Sequence, residues 1–167
     1  AFSMKLWDAF WFGGTVAYTS ATYTEDVLKV VSGQTLPIAQ NGDHLAGAPW
    51  NLAVWGQANF AAFGGDGYVR MDFQHNEEQR DRTPEQNPAN YTYQLCRRGL
   101  PSVDNLSLRA GVNYGRLDVS AFVTNLTNSL PALTRNQDVG TPTGGTPLFY
   151  DITQRPRTFG VTATYRY

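Results

Sequence analysis

Lysine is nearly missing from this 167-residue sequence: of 13 cationic residues only Lys5 and Lys29 are lysines, and the rest are arginines. Charge of either sign is scarce as well, at 16% of residues, where a soluble domain usually carries about a quarter. A net charge of −1 leaves no basic surface to neutralise phosphates, which argues against nucleic acid as a partner. No stretch approaches the roughly 18 uninterrupted apolar residues of a membrane helix. A single cysteine, Cys96, excludes an internal disulfide and leaves the redox compartment open. Arg97 and Arg98 give it the basic neighbourhood that activates thiols. The plainer readings are a partner cysteine outside this chain, or a loop residue without a role. With only His44 and His75, and no close His/Cys grouping, no zinc site is suggested. Nucleophile elbows and glycine-rich phosphate loops are absent too. The expectation is a protein that is not an enzyme and holds no cofactor.

What is present is aromatic residues, 13% of the chain, and a period-2 alternation of apolar and polar residues that recurs along it. Phe159, Val161, Ala163, Tyr165 and Tyr167 alternate with Thr158, Gly160, Thr162, Thr164 and Arg166. Leu106, Leu108, Ala110, Val112 and Tyr114 alternate with Ser107, Arg109, Gly111 and Asn113. Leu117, Val119, Ala121 and Val123 follow, and Val69, Met71 and Phe73 oppose Arg70, Asp72 and Gln74. Strand neighbours point to opposite faces, so each strand has one apolar face and one small or polar face. The pattern is blurred around Trp55 and Phe63, and least clean from Phe10 to Tyr23. There the paired Gly13 and Gly14 imply a bulge or a close backbone approach. Phe2, Met4 and Leu6 alternate with Ser3 and Lys5, without the basic and apolar regions of a signal peptide. The chain is therefore expected to begin inside a strand, as a truncated start would.

The connections alternate in length. Short turns are expected near Asp8, at Gly64-Gly65-Asp66-Gly67, where Asp-Gly is a strong hairpin signal, and at Gly115-Arg116. Long connections run roughly from Glu25 to Gly47, Gln79 to Asp104 and Asn128 to Phe149. Short turns on one rim and long loops on the other is the plan of a transmembrane barrel. The predicted fold is all-β: an antiparallel meander of about seven strands, a sector of a large transmembrane β-barrel. Aromatics track the short turns: Trp7 and Phe10, Phe63 and Tyr68, Tyr114, and Tyr167 at the end. They read as an interfacial girdle completed by Tyr165 and Phe159. Packing across any β-hairpin is the plainer reading; recurrence on one rim favours the girdle.

Two segments carry a family resemblance. NLSLRAGVNYGRLDVSAFVTNLTN, Asn105 to Asn128, resembles the penultimate hairpin of TonB-dependent outer-membrane receptors, with its Asn-Leu-Thr triplet closing a strand. RPRTFGVTATYRY, Arg155 to Tyr167, resembles their closing strand, with an Arg-Pro-Arg start and a terminal aromatic. The pairing of WDAFWFGGTVAYTSATYTED with WNLAVWGQANFAAFGGDGYVRMDF fits as well, so the resemblance spans residues 1–167. It implies a receptor of about 22 strands with a plugged lumen, in the bacterial outer membrane. Such a receptor takes up a scarce ligand such as a siderophore, cobalamin or glycan. Its partners would be TonB, through an N-terminal region missing here, the plug and remaining strands, the barrel-assembly machinery, and outer-membrane lipid with lipopolysaccharide. About seven strands cannot close such a barrel.

The resemblance also bears on single residues. Tyr167 resembles the terminal aromatic read by the assembly machinery, or serves as a girdle tyrosine. Arg155 and Arg157 share parity with Phe159 and are expected to point outward, beside lipopolysaccharide phosphates. A solvated loop arginine is the equal alternative, since Pro156 can reset the parity. Arg70, Asp72, Arg109, Asp118 and Arg166 lie on the polar faces, lining the lumen and bonding to the plug or forming ladders with their neighbours. The mixed cluster from His75 to Arg82 reads as a solvated face. The triplets beginning at Asn90, Asn105 and Asn125 match a glycosylation pattern but are discounted. The loops around Gln40, Tyr91 and Gly144 are expected at the outer binding surface.

Two competing readings remain at this level. A small complete outer-membrane barrel of eight strands would serve adhesion or structure. A soluble ligand-binding barrel would turn its apolar face inward.

Overall fold

A computed structural model of the protein describes residues 1–79, 82–94, 97–138 and 148–167. Eleven strands make up the fold: β1 (Phe2–Leu6), β2 (Phe10–Tyr18), β3 (Val27–Val31), β4 (Gln34–Ala39), β5 (Trp50–Ala62), β6 (Gly65–Asn76), β7 (Val103–Asn113), β8 (Leu117–Thr124), β9 (Ala132–Asp138), β10 (Leu148–Thr153) and β11 (Thr158–Tyr165). One 3-10 turn at Pro84–Gln86 is the helical element among the described residues. Seven strands form one antiparallel sheet in the order β1-β2-β5-β6-β7-β8-β11. Each is paired with its neighbour along the chain once the two small hairpins, β3-β4 and β9-β10, are set aside. The fold is all-β with a seven-stranded antiparallel sheet, and it does not close into a barrel.

No bulge interrupts a ladder of this sheet, so alternation carries across all seven strands. Met4 meets Phe12, Val54 meets Phe73, Met71 meets Leu108, Val112 meets Val119, and Val161 meets Ala121. Every position with this parity between the rims is apolar, glycine or aromatic, and none is Asp, Glu, Lys or Arg. None of the described residues packs over this face as a second layer. Val161 is 75% exposed and Phe159 71%, whereas Ser120 on the opposite face is 2% exposed. Among the described residues only Ala39, Val123 and Ala132 are buried hydrophobics, so neither face closes a conventional core.

The glycines inside strands answer the question of bulge or close approach. Gly13 stays in register opposite Trp55, whose ring a Cβ at Gly13 would meet at 2.9 Å. Gly111 likewise lies opposite Tyr68, with the ring 2.8 Å from such a Cβ, and Gly160 lies against Phe122. Each missing side chain makes room for an aromatic ring lying along the sheet, a close cross-strand fit that pins register.

One expected turn is corrected. Asp66-Gly67 lies inside β6, and the reversal is Phe63-Gly64, with φ of 51° and 80° and Ala62 paired to Gly65. Positive φ at both central positions is what a two-residue hairpin needs, and Gly64 supplies it at the second. Gly67 is needed in the strand, because Phe60 occupies the space over it. The long connections also hold more structure than their composition implied. Residues of the first and third fold as β3-β4 and β9-β10, and Asp104, placed at the end of the second, belongs to β7.

Candidate functional site

The candidate site has three parts: the polar face, the two rims and the lobe formed by the first two long loops. On the polar face Arg70, Asp72, Arg109 and Asp118 come together as their parity predicted. The Arg70 guanidinium donates to Asp72 at 2.7–3.1 Å and lies 4.6 Å from the centre of the Trp55 ring. Arg109 donates to the Ser120 hydroxyl at 2.9 Å and stacks 5.0 Å from the Phe122 ring centre. The Tyr68 hydroxyl donates to Asp118 at 3.4 Å. A guanidinium over an aromatic face keeps its charge while its flat surface loses water. Among the described residues these side chains form no ion pair between strands: Arg70–Asp72 is an ion pair within one strand, and Tyr68–Asp118, which does bridge strands, is a hydrogen bond from a hydroxyl. Arg166 follows the end of β11, with its backbone N–H bonded to Arg116.

Tyr68 was expected among the girdle aromatics, and this is corrected. It shares parity with Arg70 and Asp72 and so lies on the polar face, over Gly111. Phe159 is on the apolar face but opposite Val123, at the long-loop end of its strand and away from Tyr167. Trp7 and Phe63 sit in the turns themselves, 79% and 89% exposed, and Tyr114, Tyr165 and Tyr167 are exposed at the same rim. The other rim carries an aromatic pair that sequence reasoning missed. Tyr18 and Trp50 are register partners on the apolar face, with ring centres 4.8 Å apart. Beside them His75 Nδ1 and Asp104 Oδ1 stand 2.7 Å apart, the first polar pair met along that face. Arg157 lies on the side of Phe159, 5.9 Å from its ring centre. Its backbone N–H donates to Asn128, while the Arg155 carbonyl accepts from the Asn125 amide.

Asn125 explains its own triplet. Its backbone adopts positive φ (50°), and its buried side chain donates to the Ser129 and Arg155 carbonyls and accepts from the Ser129 N–H. It ties the exit of β8 to the entry of β11, a role with no need of a glycan. Asn90 is buried as well, and Asn105 lies in β7.

The lobe is organised by Asp43, which is fully buried. Its carboxylate accepts from the Asn90 amide at 2.6 Å, the Gln40 N–H at 2.8 Å and the Asn87 amide at 2.9 Å, with Arg82 at 3.4 Å. Burial pushes this carboxyl up, but the Gln40 N–H, the Asn90 and Asn87 amides and the Arg82 charge outweigh it and hold it below its ordinary range. Around this centre the Tyr91 N–H bonds to the Pro37 carbonyl, Thr92 bonds to Ile38, and Asn87 bonds to Gln40. Of the loop residues expected at the outer surface, Gln40 is held inside this network and Tyr91 is exposed on it. Gly144, Cys96, and Arg80 and Asp81 of the charge cluster lie outside the described residues. Nothing in the sequence linked Asp43 to Asn87 and Asn90. The only local signal was the turn-forming Asn41-Gly42 before it.

Among the described residues no group of three or more His, Cys, Asp or Glu side chains has the geometry of a metal site. No helix of the described residues is long and apolar enough to cross a membrane. Compared with protein-family models, curated protein sequences and solved structures, the chain matches none of them.

Proposed function

We propose that this chain is the C-terminal sector of an outer-membrane β-barrel, of the TonB-dependent receptor class, that takes up a scarce ligand. The observation that carries the membrane part is the apolar face: seven strands in unbroken register, uncharged between the rims and covered by none of the described residues. Contiguous exposed apolar faces are rare on soluble monomers beyond a few hundred Å², whereas hydrocarbon solvates them. The central strands, β5 with 13 residues, β6 with 12 and β7 with 11, suit the 9–11 residues needed to cross a bilayer obliquely. Along β7 every residue on the polar side is partly covered, while Leu108 and Ala110 on the other side are exposed. That is the accessibility pattern of a sheet whose polar side is the inner one. The segregated rims and the aromatics at both of them support the same reading.

In this reading the Asp43 lobe and the other long connections face outward, and Arg70, Asp72, Arg109 and Asp118 face the lumen, where a plug would bond to them. Arg155 and Arg157 would stand at the outer boundary, within reach of lipopolysaccharide phosphates. The receptor class rests on the resemblance of residues 105–128 and 155–167 to the last strands of that family. TonB, the plug and the assembly machinery would be its partners.

The test is site-directed spin labelling in lipid vesicles, on a Cys96→Ser background. A label at Val161 should collide with oxygen dissolved in the bilayer, and one at Thr162 with a water-soluble nickel chelate. The reverse result, or equal access to the nickel chelate at both, would refute the membrane reading. For the receptor class, ligand uptake that persists at full rate in cells lacking TonB would count against it while leaving the barrel intact.

A further inference from the structure

A small cleft of about 40 Å³ lies between the second long connection and β9. Three arginines line it, Arg97 and Arg98 from the connection and Arg135 from β9, and among the described residues no carboxylate does. Two of the three are pinned without being neutralised. Arg97 Nη1 donates to the Arg135 carbonyl at 2.7 Å, and Arg135 Nη1 donates back to the Gly99 carbonyl at 3.1 Å. A carbonyl fixes a guanidinium in place but brings no charge to cancel it. Among the described residues the acidic contact to these arginines is Asp151, 3.4 Å from Arg135 Nε. The Arg98 side chain has neither an ion pair nor a hydrogen bond there. Three cations against one carboxylate leave a local surplus of two positive charges, in a chain whose net charge is −1. The cleft shares Gln79 and Leu100 with a recess bordered by Asn51, Asn76 and Val103, which have the parity of Asp72, so it adjoins the polar side of the sheet.

We infer that this cleft binds a soluble phosphate monoester, with the guanidinium groups of Arg97, Arg98 and Arg135 on its terminal oxygens. Charge agrees with this class. A phosphate monoester carries about 1.5–2 negative charges at pH 7, which matches the surplus that the cleft presents. Size agrees as well. A water needs roughly 10–15 Å³ of such free space, so 40 Å³ takes about three or four atoms, enough for the terminal oxygens of a phosphate and too little for a sugar ring. The planar fork of a guanidinium meets two of those oxygens at once. Position on the polar side selects a soluble ester over a lipid headgroup. Every residue used belongs to this chain, so the inference does not depend on the sheet crossing a bilayer.

The test is isothermal titration calorimetry on the complete protein that carries this chain, purified in detergent, with glycerol 3-phosphate as the probe. Saturable binding is expected, and Arg98→Gln should weaken it about ten-fold or more. Arg98 holds no other side chain in place, so this variant should keep the strand signature of the parent in circular dichroism. Arg116→Gln, which removes a cation from the turn at the opposite rim, should leave the affinity as it was. Acetate, with a single charge, should bind about ten-fold more weakly than the phosphate ester. The absence of saturable binding overturns the proposal, and so does an Arg98→Gln variant with the parent's affinity. An equal loss in Arg116→Gln, as diffuse charge attraction would produce, overturns it too, as does acetate binding as tightly as the ester. Micelles doped with phosphatidic acid should leave the affinity for glycerol 3-phosphate unchanged. Displacement of the probe by that lipid would give the cleft to a headgroup and overturn the assignment to a soluble ester.

Discussion

Arg70 and Arg109 face each other across the ladder between β6 and β7, and their guanidinium groups turn in opposite directions. Arg70 swings to Asp72 and the Trp55 ring, and Arg109 to Ser120 and the Phe122 ring. Like charges directly opposite in a sheet repel, so Asp72 does more than pair with Arg70. It makes the juxtaposition of two cations tolerable. Asp72→Asn should therefore destabilise the sheet by about 1 kcal/mol or less, because the pair is partly exposed. In an Arg109→Gln background the same change should cost about 0.5 kcal/mol less still. A double-mutant cycle by urea unfolding measures the coupling, and strict additivity would show that the two arginines do not sense each other.

The seating of Phe122 over Gly160 predicts a steric effect confined to one ladder. Gly160→Val should cost about 1–3 kcal/mol by driving the ring off its place, and should also loosen the Arg109 stack. With Phe122→Ala already present, valine at 160 should be accepted at roughly half that cost or less. The seating is refuted if valine at 160 costs as much without the ring as with it.

Opposite faces of β11 should respond oppositely to charge. On the membrane reading, Val161→Arg in the complete receptor should lower its folding free energy in lipid vesicles by about 2–4 kcal/mol, the penalty near a bilayer midplane. Thr162→Arg, one residue on, should change it by less than about 1 kcal/mol. Equilibrium folding into vesicles separates them. Similar penalties at both sites would leave no distinction between the faces.

The loop lobe should loosen only in acid. The folded Asp43 carboxyl titrates below its ordinary value of 3.8, so its contribution to stability is present above that value and fades as pH falls through the lower, folded one. The Asn87 and Asn90 side-chain amide signals should stay constant near neutrality and move together with a midpoint below pH 3.8. A midpoint above it would mean that burial, not hydrogen bonding, governs the group. Asn87→Ala removes one donor to a buried charge and should cost the lobe about 1.5–3 kcal/mol, read by amide exchange at Tyr91.

Tyr167 ends the chain fully exposed at the short-turn rim. On the receptor reading, removing Tyr167 from the complete receptor should reduce its folded yield in the outer membrane while leaving in-vitro refolding unchanged. Equal yields in cells would assign it to the girdle alone.

Alternation by itself determined which side chains share a face. In a strand, direction depends only on parity, and Leu108, Val119 and Val161 therefore lie together wherever the strands pair. The same rule already assigned Tyr68 to the side of Arg70, although its nearness to a turn suggested a girdle. Segregation of short and long connections was legible too, because turn residues mark reversals locally. The tertiary structure decided what local pattern leaves degenerate. Phe63-Gly64 and Asp66-Gly67 preserve the same facing parity, and only the fit of Gly67 beneath Phe60 separates them. Asp43 met Asn87 and Asn90 because loops returning from different strands were brought together. Contacts across such separations depend on the path of the backbone, and no periodicity along the chain encodes them.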